Sequence, residues 1–170
     1  MNLKKNLIFL GMMGAGKSSI GRLVSKKLDL SFIDIDNLIE NEIGMNISEI
    51  FKKRGEKYFR DLEEKITLKV LKNDNHVISL GGGSFINKKI RNEIIGNHLS
   101  FWLNWDDAIL LKRIKDSKKR PLAFHSTNIE IKNLIKKRSK VYSQAKFKIN
   151  CNKLTKTEIV KNIIKIYELN

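Results

Sequence analysis

Four short stretches of this 170-residue chain hold residue types at spacings that could do chemistry. The first is GMMGAGKSS, Gly11 to Ser19, which satisfies G-x-x-x-x-G-K-[ST]. Its glycines let the loop wrap so that successive backbone N–H groups point inward, and a following helix adds its positive end. Gly14, Ala15, Gly16, Lys17, Ser18 and Ser19 form the run that would surround phosphates. Lys17 would reach the β- and γ-phosphates, and the Ser18 hydroxyl would ligate Mg²⁺. A glycine-rich turn with an exposed lysine is the plainer alternative. Against it, an apolar run, Asn6–Leu10, precedes the loop and a helical pattern, Ile20–Leu28, follows it. That is the context the motif needs, and it reads as a nucleoside triphosphate site.

The second stretch is FIDID. In an extended chain Asp34 and Asp36, two apart, point to the same face. Asp34, nearer the sheet, suits a Mg²⁺ shell through water, and Asp36 suits an acceptor hydroxyl that must lose its proton. A helix cap for Leu38–Ile43 is the alternative use of either one. The third stretch is YFRDLEE, in which Arg60 and Glu63 are neighbours on one helix face. They form either a surface ion pair of little worth or a carboxylate holding a guanidinium fork ready to grip an acceptor's carboxylate. The fourth is HVISLGGGSF. Gly81, Gly82 and Gly83 end an apolar run either as a sharp turn with positive φ or as bare backbone that a ligand approaches closely.

These stretches need a scaffold that brings them to one edge. Short apolar runs at Asn6–Leu10, Phe32–Asp34, Val77–Leu80, Ser100–Leu103 and Phe147–Asn150 alternate with helical patterns such as Phe59, Leu62, Ile66 and Val70. Asn46 with Glu49, Thr127 with Glu130, and Thr155 with Glu158 each read as a capping box. Alternation of this kind predicts an α/β fold: a parallel sheet flanked by helices, its ligands beyond the carboxyl ends of the strands. No repeat, linker or low-complexity tract divides the chain, so a single domain over 1–170 is expected. The least structured segment is Asp116–Ser126, which holds the only proline, Pro121.

Composition narrows the partners. The net charge of +16 invites a nucleic-acid reading, but of 34 basic residues only seven are arginine (22, 54, 60, 91, 113, 120 and 138). The lysines are scattered in short pairs, as a coding bias would scatter them, and no aromatic array for base stacking accompanies them. In a chain that uses lysine almost everywhere, an arginine marks a demand for the planar five-donor fork. Cys151 is the only cysteine and has no disulfide partner within the chain, which suits a reducing cytoplasm. The N-terminal MNLKKNLIFL imitates a signal peptide, but its apolar run is short and no A-x-A site follows. No stretch approaches a membrane span. A guanine-specific GTPase would need N-K-x-D, and the nearest approach, Asn152-Lys153-Leu154-Thr155, lacks the carboxylate. A compact kinase for a small acceptor is the class that remains.

In order and interval, GMMGAGKSS, FIDID, GEKYFRDLEE, SLGGG, KRPL and KRSKVY resemble the shikimate kinase family over essentially the whole chain. The resemblance implies a five-stranded parallel sheet of the P-loop nucleoside-monophosphate-kinase type, order 2-3-1-4-5. It implies transfer of the γ-phosphate of ATP to the 3-hydroxyl of shikimate, with Mg²⁺, in aromatic amino-acid biosynthesis. Carried over, Asp36 orients the acceptor hydroxyls and acts as base, beside Lys17 and Arg120 as catalytic groups. Arg60 and Arg138 clamp the carboxylate with Glu63 in support. The three glycines set backbone N–H groups against substrate hydroxyls. Arg120 sits on a lid at about 116–126, Arg113 lies against adenine with Asn152 nearby, and Ser18 and Asp34 serve the metal. A cytoplasmic monomer that takes ATP and shikimate, with no nucleic-acid or membrane partner, completes the expectation. Arg22 falls on the helix after the phosphate loop, while Arg54 and Arg91 carry only a solvated-surface reading.

Two features depart from the family. Lys140 stands two residues after Arg138, where relatives often carry proline, and the segment around Arg120 is unusually lysine-rich. The rival readings are a gluconate or nucleotide kinase and, from another class, an ATP-dependent RNA-binding protein.

Overall fold

The computed structural model describes residues 5–116 and 126–170. Arg120, Pro121 and the body of the expected lid lie outside them.

The apolar run LIFL forms β1 (Leu7–Leu10), and all four residues are fully buried, as a strand covered on both faces must be. Around it lie β2 (Ser31–Asp34), β3 (His76–Ser79), β4 (Leu99–Asn104) and β5 (Phe147–Asn150). They pair in parallel in the order β2-β3-β1-β4-β5, as the resemblance implies. Leu7 stands between Val77 and Leu99, which fixes the register of the three central strands. Phe9, Phe101 and Phe147 stack across neighbouring strands at ring separations of 5.7 and 5.2 Å. Burying side chains of this size contributes about 1.5–3 kcal/mol each, so the centre of the sheet is the rigid part of the molecule.

Among the described residues the helices are α1 (Lys17–Leu28), α2 (Ile35–Ile43), α3 (Ile47–Leu71), α4 (Lys88–Asn97), α5 (Asp107–Lys115), α6 (Asn128–Tyr142) and α7 (Lys156–Glu168). All three expected capping boxes are present, at the starts of α3, α6 and α7. Two local details differ from the sequence reading. First, α2 begins at Ile35 rather than Leu38, because Asp34 caps it by accepting from the N–H groups of Asp36 and Asn37. Asp34 and Asp36 therefore do not share one face of a strand: Asp34 ends β2 and Asp36 stands in the first turn of α2. Second, α3 is broken at Gly55, whose φ of 81° and ψ of 168° separate a short helix from the long one that carries Arg60 and Glu63. At such a φ a side chain is strained, and glycine is not.

Because the strands are parallel, the phosphate loop after β1, the α2 start after β2 and the glycine run after β3 leave the sheet at one edge. Asp34 is paired with Ser79 in the ladder, so the ends of β2 and β3 lie level.

Candidate active site

That edge opens into a pocket of about 450 Å³. Its walls include Lys17, Ser18, Asp34, Asp36, Arg60, Glu63, Gly81, Gly82, Gly83 and Arg138. Groups from five separate stretches of sequence are thereby brought together.

The phosphate loop supplies one wall. Gly14 and Gly16 take positive φ of 81° and 88°, which lets the chain curl before α1 begins. Lys17 is buried, and its ammonium donates to the carbonyls of Gly11 and Met12 at 2.9 and 3.1 Å, so its charge is held over the loop. The Ser18 hydroxyl donates to Asp34 Oδ2 at 2.5 Å and lies 3.3 Å from Ser79 Oγ. This cluster is all hard oxygen. Among the described residues no group of three or more His, Cys, Asp or Glu could hold a metal. A hydroxyl beside one carboxylate fits a Mg²⁺ that arrives with a nucleotide and keeps most of its water, rather than a caged resident ion.

The three glycines form the floor. None has positive φ, so the left-handed turn considered from the sequence is not what they are for. Close approach is what they serve. A Cβ on Gly81 would lie 2.5 Å from Asp36 Oδ1 and 2.9 Å from Glu63 Oε1. On Gly82 it would meet Arg138 Nη1 at 3.4 Å, and on Gly83 it would meet Arg60 Nη1 at 2.7 Å. Gly81 thus makes room for two carboxylates and Gly83 for a guanidinium, while at Gly82 the closest approach is that of the Met13 backbone nitrogen, at 3.3 Å. The Tyr142 hydroxyl, buried one turn beyond Arg138 on α6, donates to the Gly82 carbonyl and anchors the middle of the floor. Burial pushes that phenol up to about 12, with Arg138 opposing, so it remains a donor at any physiological pH.

Arg60 and Glu63 make the next wall. Glu63 is 2% exposed, so the pair is no surface ornament. Its Oε2 takes a hydrogen bond from Arg60 Nη1 at 2.7 Å, and its Oε1 takes one from Ser84 Oγ at 2.6 Å. Arg60 also meets Glu56 at 3.4 Å and lies over the Phe59 ring at 5.0 Å. The guanidinium is thus fixed by a buried carboxylate on one side and an aromatic face on the other, with about a third of its side chain open to the pocket. Arg138 comes from α6 with a sulfur contact to Met12 at 3.8 Å.

Asp36 behaves differently from Glu63. Among the described residues none donates a hydrogen bond to its carboxylate. Burial raises its pKa to about 6; Lys17 opposes, and Asp34, Glu63 and Glu40 add to the rise. A carboxylate left bare and near neutrality is the form a proton acceptor takes.

The remaining expected residues are placed apart from this pocket. Arg113 lies outside on α5, its guanidinium 3.8 Å from the centre of the Trp105 ring and 3.4 Å from the Gly14 carbonyl. The Asn152 side chain exchanges two hydrogen bonds with Asp106, at 3.0 and 2.7 Å. Arg120 falls outside the described residues. Of the other arginines, Arg22 lies over Phe32 on the face of α1, and Arg54 donates to the Tyr58 hydroxyl. Arg91 is not merely a solvated residue: it donates to the carbonyls of Phe85 and Ile86 and clamps the short 3₁₀ turn Ser84–Ile86 behind the floor.

Sequence reasoning missed Ser84, Tyr142 and Trp105. Ser84 adjoins the glycines and could have been suspected, whereas the partners of the other two lie 60 and 90 residues away.

Comparison with known proteins agrees with this geometry. The family model described as shikimate kinase matches residues 13–168. A shikimate kinase of Thermodesulfovibrio yellowstonii is 38% identical over 165 residues, 96% of this chain and 95% of that protein. The crystal structure of shikimate kinase from Aquifex aeolicus is similar at a TM-score of 0.86 and 36% identity, covering 96% of each chain. Shikimate kinase from Acinetobacter baumannii, solved in complex with shikimate, is similar at a TM-score of 0.90 and 27% identity. That match covers 98% of this chain and 94% of the other.

Proposed function

This chain belongs to the shikimate kinase family, and from that premise we propose how its own residues divide the work. It is an ATP-dependent kinase that transfers the γ-phosphate to the 3-hydroxyl of shikimate, giving shikimate 3-phosphate and ADP. The observation that carries the assignment of residues is the glycine floor, which lets Asp36 and Arg60 come close to Gly81 and Gly83 and has Arg138 in contact beside Gly82. A ring with a carboxylate at one end and hydroxyls at the other would lie on that floor. Its carboxylate would face Arg60 and Arg138, its hydroxyls Asp36 and the exposed backbone N–H groups.

In that pose Glu63 binds nothing itself; it holds Arg60. The acceptor oxygen forms a bond to the γ-phosphorus as the bond to the β,γ-bridging oxygen breaks, and the electron pair leaves with ADP. The hydroxyl proton goes to Asp36. Lys17 and the N–H groups of Gly14–Ser19 take the growing charge on the phosphates. Mg²⁺, held by Ser18 directly and Asp34 through water, would neutralise part of that charge when bound. Arg120 on a lid over 116–126 would serve the same end and exclude water. Arg113 would lie against adenine, with Asn152 steadying the adjoining loop. The same reading takes the chain as a single-domain, cytoplasmic monomer with no nucleic-acid partner.

The test is ADP release by the purified protein with MgATP, comparing shikimate, gluconate, AMP and no acceptor. Turnover with shikimate alone is expected. Release that ignores the acceptor would overturn the roles given to Arg60, Arg138 and the glycine floor.

A further inference from the structure

Trp105 has no part in the pocket, yet it is joined to the phosphate loop. Its indole N–H donates to the Ala15 carbonyl at 2.9 Å. Its ring carries the Arg113 guanidinium at 3.8 Å, and Arg113 in turn approaches the preceding carbonyl, Gly14 O, at 3.4 Å. Two consecutive loop carbonyls are therefore drawn outward by residues at the end of β4 and on α5. A trans peptide is planar, so its C=O and the next N–H point in opposite directions. Holding the Ala15 carbonyl outward turns the N–H of Gly16 inward, where phosphates bind. Gly16 sits at a φ of 88°, and a Cβ there would meet only Ile20 Cγ1, at 4.0 Å, so side-chain packing does little to fix the Ala15–Gly16 peptide.

We propose that Trp105 is a positioning residue of the nucleotide site: its N–H sets the phosphate loop before nucleotide arrives, and its ring sets Arg113. The second half rests on the reading that Arg113 meets adenine; the first does not. The ring then forms one end of an indole–guanidinium–adenine stack, a geometry in which a cation between two π faces is favoured.

The test measures affinities of the whole protein for MgADP and for Mg-pyrophosphate, which reports on the loop without adenine. Trp105→Phe keeps the ring and removes the N–H. It should weaken both ligands about fivefold, the worth of one hydrogen bond, with the KM for shikimate unchanged. Trp105→Leu should weaken MgADP several-fold further while leaving pyrophosphate where the phenylalanine variant puts it. Unchanged pyrophosphate affinity in Trp105→Phe, or a shikimate KM that rises in step, would overturn the hold on the loop. Arg113→Ala separates the two readings. Normal MgADP affinity in that variant would refute the adenine role of Arg113, while weakened pyrophosphate binding in Trp105→Phe would still support Trp105.

Discussion

Replacing Asp36 with asparagine should stabilise the protein while destroying its activity. A carboxyl that titrates at about 6 in the fold and at 3.8 when unfolded binds more protons in the native state between those pH values. Stability therefore falls as pH rises through that window, at about 1.4 kcal/mol per pH unit. The sum is about 3 kcal/mol by pH 7. Burial of the charge is the main cause, and the nearby carboxylates Asp34, Glu63 and Glu40 add repulsion that Lys17 only partly offsets. Asparagine fills the same space without charge and removes that cost. The assay is urea unfolding of nucleotide-free, Mg²⁺-free wild type and Asp36→Asn at several pH values from 3.5 to 7.5. The two should be alike near pH 3.5 and diverge until the variant is about 3 kcal/mol more stable at pH 7. On a chain of this length that corresponds to roughly 6–12 °C in Tm. A variant no more stable at pH 7, or one whose advantage does not change with pH, would refute the reasoning. The trade of stability for a strained functional group is a general one.

Three further outcomes follow from the same geometry. In the wild type kcat/KM for shikimate should fall below about pH 6 with the slope of one proton, as Asp36 becomes protonated; a flat acid limb down to pH 5 would remove it as the base. Arg60→Ala and Arg138→Ala should each raise the KM for shikimate by roughly 2–5 kcal/mol equivalent and leave that for ATP alone. An unchanged shikimate KM in steady-state kinetics would sink either assignment. Ser84→Ala strips one donor from buried Glu63 Oε1 and should cost about 1–3 kcal/mol in denaturant unfolding, with a raised KM for shikimate because Arg60 loses its fixed partner; full stability would show the bond to be worth little.

Much of this was legible in the chain. The strands could be found because each is a short apolar run between helical patterns, and three helix starts because a cap and a carboxylate three residues on are local signals. The phosphate loop is local too. What could not be read is where a local signal competes with another. FIDID looks extended through Asp36, yet Asp34 captures the next N–H groups and turns the chain helical one residue later. The same-face argument failed for that reason, although Asp36 still reaches the pocket from the first turn of α2. Arg91 reads as a surface residue because its acceptors are backbone carbonyls, which every sequence has. Trp105 and Tyr142 depend on partners across the fold, and no spacing along the chain announces them.

The two carboxylates beside the floor show why the site needs a fold and cannot be specified by residue types alone. Glu63 and Asp36 both lie within reach of Gly81, and both are carboxylates. Their surroundings separate them. Glu63 spends one oxygen on Arg60 and the other on Ser84, so both of its oxygens are engaged in holding the wall. Among the described residues Asp36 has no such donor, and burial with three like charges, opposed by Lys17, favours a proton there. The division between a group that holds and a group that accepts is set by who donates to each. Ser84 completes that division, since without its hydroxyl Glu63 would keep one bare oxygen beside the floor while Arg60 held only the other.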